Sequence, residues 1–462
     1  MATSHRQRRV KYLKFKLSNI ENALGRFGAQ SQRIFLDHTA LTNHSPFSRG
    51  LQRETKRAAV LSCAAKLLNT KGARSTTLTD IASRLGLTKT SLYYYVSNKE
   101  DLIYQCYQAN MQQAHDQLDL AVQQHSAPLA CLLAFFESQI ATTLRSLDGE
   151  GDFYAAPLEF ASLKAEHRTV LEAAYRQLLG RLIDLLKRGI ESGHIRPCDP
   201  IVTIRAMIGA MDWSFYWLYE MPRDEAEQVI DVVRDLLTHG LLNPNSNYSP
   251  GQQADLAIFS EQEPAFDRDT QNRLKQEAFL KAGTRCFNQK GFSGTSLDEI
   301  VEQLNVSKGA FYYHFANKEA LLTQCYDYTL DQLERVITHV EHIDATPAAR
   351  LDVAMRLIFS LQNSEQGPLI HFNSITALPP DVRRRLLDRL NAVHSTLETF
   401  ITAATAASQF RTLPAGIVIQ LLTGTLNAAI DLNEWQAIDS IDQSAVDYCA
   451  LFFHGLAPSA AP

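Results

Sequence analysis

Apolar residues recur every three to four positions along most of this chain, the period of a helix that buries one face. Val60, Ala64, Leu67 and Leu68 mark a leading helix that ends near Gly72, where a glycine can close it in the left-handed region. Leu78, Ile81 and Leu85 form the inner stripe of a second, short helix, and Leu92 with Val96 that of a third. Further on the pattern predicts helices over residues 102–123, 127–146, 153–163, 168–192, 200–220 and 223–241. The expected fold class is all-α.

The pattern then starts again. Residues 76–102 read TTLTDIASRLGLTKTSLYYYVSNKEDL and residues 295–321 read TSLDEIVEQLNVSKGAFYYHFANKEAL, at a constant offset of 219 with no gap. Eleven of the 27 aligned positions are identical. A repeat separated by about one domain length implies a duplicated domain, not a solenoid unit. Downstream the offset settles at 215, where His194-Ile-Arg196 matches Gln409-Phe-Arg411, Gly209 matches Gly424 and Asp212 matches Asn427. The duplication therefore covers whole units: two in tandem, each a helix-turn-helix segment followed by a helical bundle.

Each repeated stretch supplies the parts of a helix, a tight turn and a second helix. Thr77 with Asp80, and Ser296 with Glu299, have the spacing of capping boxes. Gly86 and Asn305 occupy the sharp turn, and both tolerate left-handed geometry. Thr88 and Ser307 can cap the next helix, which buries Leu92 and Val96, or Phe311 and Phe315. Its outer side carries Lys89, Thr90, Ser91, Tyr93, Tyr94 and Tyr95, matched by Lys308, Gly309, Ala310, Tyr312, Tyr313 and His314. Small residues at its start allow close approach to base edges, and ammonium, hydroxyl and imidazole donors follow for phosphates. Lys99 and Lys318 sit in the first turn of the following helix, where a cation opposes the helix dipole unless an anion lies there. The bland alternative is a helix-turn-helix that serves only a protein contact.

Ser307–Phe315 and the segment from Asn317 to Leu321 stand almost verbatim as S-K-G-x-x-Y-Y-H-F and x-K-x-x-L, and both copies resemble the DNA-binding domain of the TetR family of bacterial transcriptional regulators. Copy one departs from that pattern: Thr90 replaces the glycine, Tyr95 the histidine and Val96 the phenylalanine. The resemblance implies an all-helical regulatory domain that binds a small ligand between its helices. It also implies that two such domains pair through a four-helix bundle.

Charge sharpens the division. Residues 53–107 hold nine basic and four acidic side chains, and residues 268–326 hold eight and six, whereas the whole chain has a net charge of −5. Positive charge is gathered where the motif needs it. Residues 1–50 contain nine Lys or Arg against Glu21 and Asp37. They suit a disordered arm touching phosphates, or translated upstream sequence from a misplaced start, and they lack the apolar core of a signal peptide. The segment 243–269, rich in Asn, Pro, Ser and Gly, marks a linker. The expected domains are the arm (1–51), two helix-turn-helix domains (52–107 and 270–326), two bundles (108–242 and 327–457) and a disordered tail (458–462). Seven cysteines without a CxxC pair argue against zinc and a disulfide framework, and no cofactor or metal is expected. Cys106 and Cys325, at equivalent positions, suit small buried hydrophobes in a reducing cytoplasm.

Within the bundles, Phe135, Phe136, Gln139, Asp212, Trp213, Tyr216 and Trp217 are candidates for a ligand pocket in the first half. Phe359, His371, Phe372, Asn373, Asn427 and Asp431 are candidates in the second. Aromatics at helical spacing serve equally as core. Asp212, a carboxylate on an apolar helix, needs a partner: Arg205, a subunit contact or a cationic ligand. The segment 200–219 contains Arg205 and Asp212 and makes a poor membrane span. The function expected is a cytoplasmic, ligand-responsive repressor of an operator in double-stranded DNA, with activation or an adaptor role as alternatives. It would act as an intramolecular pseudo-dimer or as a homodimer. No nucleophile elbow, phosphate loop or Rossmann glycine pattern points to an enzyme.

Overall fold

The fold is all-α, and most of its helices begin where the sequence supplies a capping side chain or an N-terminal proline. The computed structural model describes residues 46–156, 163–219, 221–246, 248–249, 268–364, 367–430 and 440–458. The chain divides into two units, residues 1–57 and 58–462. Of the first, residues 46–57 are described and run as helix. The expected arm thus lies outside the described residues up to position 45, and positions 46–51 belong to a helix.

Helices α1 (Pro46–Ser75), α2 (Leu78–Arg84), α3 (Lys89–Leu92), α4 (Lys99–Gln124), α5 (Pro128–Leu147), α6 (Ala165–Glu191), α7 (Pro200–Trp217), α8 (Arg223–Ala226) and α9 (Val229–His239) build the first half. The second runs through α10 (Arg268–Gly294), α11 (Leu297–Gln303), α12 (Lys308–His314), α13 (Lys318–His342), α14 (Pro347–Gln362), a 3-10 turn at Phe372–Ala377, α15 (Pro380–Ala406), α16 (Ala415–Ala428) and α17 (Ile441–His454). Helices α4 and α13, and α5 and α14, start 219 residues apart; α6 and α15, and α7 and α16, start 215 apart. Helix α14 is four residues shorter than α5, 16 against 20, and the connections that follow are equal in length, which places the change of offset at the end of α14. Among the described residues, no helix is long and apolar enough to cross a membrane.

The helix expected at 153–163 is corrected where it is described. Residues 153–156 are not helical, and 157–162 lie outside the described residues. Side chains of α1 hold this strap: Phe153 N donates to Ser62 Oγ at 2.9 Å. Asn69 takes the amide of Ala156 at 2.9 Å and gives its own amide to Tyr154 O at 2.9 Å. The second half repeats the device, with Asn288 taking His371 N at 2.8 Å and donating to Leu369 O at 2.9 Å. An asparagine that pairs like a strand edge satisfies backbone groups a helix would have paired internally.

The two halves pack on each other through α7, α9, α16 and α17. Helices α7 and α16 cross at Gly209 and Gly424, where a Cβ on Gly424 would lie 2.4 Å from Trp213 Cβ and 2.5 Å from Gly209 O. Thr425 Oγ1 donates to Ala206 O at 2.9 Å across the crossing. The ends of α9 and α17 exchange backbone bonds in matched pairs. Leu241 N donates to Phe452 O at 2.7 Å, and Leu456 N to Leu237 O at 2.8 Å; Leu242 N donates to Phe453 O at 3.0 Å, and Ala457 N to Thr238 O at 2.8 Å. Arg196 Nε donates to Gly455 O at 2.6 Å, and Arg411 Nε to Gly240 O at 3.0 Å. Each pair interconverts under the 215-residue shift, so this interface is pseudo-twofold. Gly240 and Gly455, at φ 67° and 63°, end their helices in a geometry that only glycine adopts easily.

Candidate nucleic-acid interface and effector pocket

In the first helix-turn-helix, Thr77 Oγ1 accepts from Asp80 N at 3.1 Å, and Asp80 Oδ2 accepts from Thr77 N at 3.0 Å, a complete capping box. The second is half of one. Ser296 Oγ accepts from Asp298 N at 3.1 Å, while Glu299 pairs with Lys290. Gly86 and Asn305 make the turn at φ 65° and 51°, as their chemistry predicts. Thr88 and Ser307 then cap the outer helices, accepting from Ser91 N at 3.1 Å and Ala310 N at 3.3 Å.

Each outer helix is fixed from beneath by apolar side chains. Leu92 and Val96 are buried in copy one, and Phe311 and Phe315 in copy two, where both rings stand 5.8 Å from Phe279. The opposite face is open: Tyr93 and Tyr94 are 48% and 76% exposed, and Tyr312 and Tyr313 are 56% and 70% exposed. Four large rings are left in water, Tyr312 and Tyr313 on α12 and Tyr93 and Tyr94 in the turn that follows α3, where the sequence predicted that the helix would continue; they suit a face waiting for a partner more than a solvated surface. Lys89, Thr90, Lys308 and Gly309 are exposed beside them, and Ser91 and Ala310 are half-buried. Helix α3 is only four residues long, against seven for α12.

Several candidate contacts already have intramolecular partners. Lys308 pairs with Asp298, and that hydrogen bond raises its pKa. Lys318 Nζ donates to Phe292 O at 2.6 Å and Thr295 O at 2.8 Å, and Lys99 Nζ to Arg74 O at 3.2 Å. The cation in the first turn of α13, expected to await a phosphate, thus answers carbonyls at the end of the leading helix. Tyr95 and His314 are half-buried, and burial, then Lys275, lowers the His314 pKa toward the neutral imidazole. The two helix-turn-helix modules also touch. Arg74 reaches Glu319 and Ala377 O at 3.4 Å each and lies over the Phe292 ring.

Pocket candidates in the first half separate by helix face. Phe135, Phe136, Gln139 and Asp212 line one cavity of about 40 Å³ between α4, α5, α6 and α7. Along α7, Ile208, Met211, Asp212 and Phe215 face it, at the i, i+3, i+4, i+7 spacing of one stripe. Trp213 lies on the other stripe, donating Nε1 to Gln420 Oε1 at 3.0 Å, and the Tyr216 ring packs against it, tilted, at 4.8 Å between centroids. Trp213 therefore belongs to the pairing of the halves. Trp217 is buried in the core. Arg205 is on the same helix as Asp212, two turns away, and donates to Tyr175 OH at 2.9 Å.

Among the described residues, the second-half candidates have the following neighbours. Phe359 packs on Tyr448, and Phe372 on Trp213 and Tyr326. The His371 backbone serves the Asn288 clamp and takes the Tyr326 hydroxyl at 2.9 Å. Asn427 is half-buried on α16; Asp431 and the Asn373 side chain lie outside the described residues. Sequence reasoning missed Asn69 and Asn288. Their signal was available: both fall in the 219-residue register, as asparagines in helices that otherwise favour apolar or charged residues.

Comparison with known proteins agrees with the motif. The description "Bacterial regulatory proteins, tetR family" matches residues 60–106 and 279–325, and "Tetracyclin repressor-like, C-terminal domain" matches residues 140–241. The chain is 39% identical over 67 residues to an uncharacterized HTH-type transcriptional regulator, YerO, of Bacillus subtilis (strain 168), covering 14% of this chain and 23% of that protein. It is 32% identical over 117 residues to the HTH-type transcriptional repressor DhaR of Mycobacterium sp. (strain GP1), covering 25% and 59%. The alignments therefore span less than two thirds of these relatives. Among solved structures, AibR in complex with isovaleryl coenzyme A and operator DNA is 24% identical, with 39% of this chain and 96% of that one covered at a TM-score of 0.31.

Proposed function

We propose that this chain, which belongs to the TetR family of bacterial regulators, is a ligand-responsive transcriptional repressor whose two helix-turn-helix domains act as one intramolecular pair. The observation that carries this reading is the pair of helix-turn-helix segments, each held from beneath by buried apolar residues and each exposing two tyrosines and a lysine at its outer helix or in the turn after it. Thr90 and Ser91, and Gly309 and Ala310, would approach base edges; Lys89, Lys308, Tyr93, Tyr94, Tyr312 and Tyr313 would hold phosphates. Residues 52–107 and 270–326 are assigned to DNA, and 108–242 and 327–457 to sensing and pairing. Repression is supported by relatives named as repressors, DhaR and the negative regulator IcaR of Staphylococcus epidermidis.

The pseudo-twofold packing of α7 and α9 on α16 and α17 supports pairing within one chain. The covalent link gives the halves a high effective concentration for each other, so a second chain competes poorly. Because the recognition helices differ, such a pair reads a non-palindromic operator. A ligand that favours an arrangement misfit to DNA releases the operator by population shift.

The test is the mass of the purified chain by light scattering, alone and on genomic fragments enriched by its own binding. One chain of 51.8 kDa per site is expected. Two chains per site would refute internal pairing, and failure to enrich any fragment would refute the regulator itself.

A further inference from the structure

We infer that Arg74 and Glu319 latch the two helix-turn-helix modules to each other, and that this latch fixes the spacing of operator half-sites that the chain accepts. The inference rests on the intramolecular pair proposed above and adds the residues that set the distance between its recognition helices. The contact starts at the end of α1. Arg74 Nη1 lies 3.4 Å from Glu319 Oε2, in the first turn of α13, and donates to Ala377 O at 3.4 Å. Its guanidinium stands 5.0 Å from the centre of the Phe292 ring, at the end of α10. Lys318 Nζ approaches the same ring at 4.4 Å, so one aromatic side chain receives a cation from each module. Backbone comes close as well: a Cβ on Gly72 would meet Thr376 Oγ1 at 2.4 Å and Thr376 Cβ at 3.1 Å. The first module therefore rests on α10, α13 and the 3-10 turn of the second half at once. That turn is itself fixed, because Phe372 at its start is buried and packs on Tyr326 at 5.2 Å and on Trp213 at 6.3 Å, beside the crossing of α7 and α16.

The repeat supplies an internal comparison. Glu319 corresponds to Glu100 under the 219-residue offset, yet the two carboxylates are answered differently. Glu100 Oε1 takes the backbone amide of Lys164 at 3.2 Å and lies 2.7 Å from His167 Nδ1, both at the start of α6. It thereby ties the first module to its own bundle. At the start of α15, 215 residues on, the same positions hold Pro379 and Val382. Proline has no N–H to donate, and valine has no polar side-chain atom. Glu319 is answered from the other module instead, by Arg74. Arg74 itself corresponds to Ser293, too short to make the same bridge in the other direction. The attachments thus run in series: the first bundle to the first module through Glu100, then the first module to the second through Arg74.

DNA turns this latch into a rule of spacing. One base pair added between two half-sites displaces one of them by about 3.4 Å along the duplex and rotates it by about 35°. An ion pair at 3.4 Å and a ring contact at 5.0 Å cannot follow such a step. The latch must open if both recognition helices are to stay in their grooves. An exposed ion pair and a cation over a ring together correspond to a factor of about three to thirty in affinity. That factor is the penalty the latch adds to a wrongly spaced operator.

The experiment measures binding of the full chain, by fluorescence anisotropy, to an enriched DNA fragment and to versions with one base pair inserted or removed between the half-sites. The parent chain should lose affinity for both altered spacings, and Arg74→Ala should shrink that loss by about threefold or more. Glu319→Gln, which opens the bridge from the other module, should shrink it in the same direction, and Ser293→Ala should leave it as in the parent. The salt slope on the original fragment should not change in Arg74→Ala. Equal weakening at every spacing, with a slope lower by about 0.9, would make Arg74 a phosphate contact and overturn the inference. So would a parental spacing penalty in both Arg74→Ala and Glu319→Gln, or a parent chain indifferent to spacing. A readout without DNA separates the latch from the pairing of the halves. Arg74→Cys with Glu319→Cys, treated with bismaleimidoethane, should be bridged within one chain, as identified by peptide mass spectrometry against the parent. Absence of that bridge overturns the latch even where light scattering finds one chain per site. Two chains per site would refute the intramolecular pair, while a bridge within one chain would still uphold the contact between modules.

Discussion

Replacing Gly424 by alanine tests whether the two halves form one body. In an isolated helix the change stabilises by up to about 1 kcal/mol, because glycine loses more backbone entropy on folding. Here the added Cβ meets Trp213 Cβ at 2.4 Å and Gly209 O at 2.5 Å, whereas ordinary contact begins near 3.4 Å. Neither atom is the far end of a flexible side chain, so α7 and α16 must separate by about an ångström. That strain costs about 1–3 kcal/mol. It also stretches the bonds from Thr425 to Ala206 O (2.9 Å) and from Trp213 to Gln420 (3.0 Å) beyond useful length. At about 1 kcal/mol each, and after the helical gain is subtracted, the net loss is about 2–4 kcal/mol. Gly180 on α6 has nothing within 4 Å of a new Cβ, so Gly180→Ala should instead stabilise by about 0.5–1 kcal/mol. Urea midpoints of the two variants, read against the parent chain, give the answer. If both changes stabilise, the crossing of α7 and α16 does not exist in solution, and the intramolecular pair goes with it.

Other predictions follow from single groups. Asp352 and Arg356 form a buried ion pair on α14, with Tyr248 OH donating to Asp352 at 2.8 Å; Arg356→Met alone should cost about 3–5 kcal/mol, and the joint change with Asp352→Leu much less, as read by urea denaturation. Burial pushes the His394 imidazole down to about 4, and its Nε2 faces Thr423 Oγ1 at 2.9 Å. An unfolded histidine protonates near pH 6.5, so the unfolded chain takes the proton first and stability falls as pH is lowered through that window. The loss is about 2 kcal/mol between about pH 7 and about pH 5, and His394→Phe should flatten the slope. Lys89→Ala and Lys308→Ala should each lower the salt slope of binding to an enriched DNA fragment by about 0.9, measured by fluorescence anisotropy; an unchanged slope removes that lysine from the interface. Cys106 and Cys325 are buried and pushed up to about 12, so both should resist thiol reagents until the chain unfolds.

The repeat in the sequence determined much of this protein by itself. Capping residues, Gly86 and Asn305 at the turns, and apolar pairs such as Leu92 with Val96 act over a few residues, where local chemistry suffices to set conformation. The exposure of Lys308, Tyr312 and Tyr313 on α12 was legible for the same reason, since a short helix with one buried face can turn only its other face outward; in copy one the helix stops at Leu92 and Tyr93 and Tyr94 are exposed in the turn that follows. The bundles were different. Helix α7 is apolar nearly all round, so its periodicity could not say that Asp212 faces a cavity while Trp213 faces α16; that follows from having neighbours on two sides. The strap at residues 153–156 is not helical, against its local pattern, because the groups that hold its backbone, Ser62 and Asn69, lie more than eighty residues away in sequence. Lys99 and Lys318 could be placed in a first turn, but not on the carbonyls that hold them. Whether two similar halves face each other within one chain was open in the sequence. It was decided by Gly209 against Gly424 and by backbone bonds exchanged between the ends of α9 and α17, which are long-range contacts that no local pattern encodes.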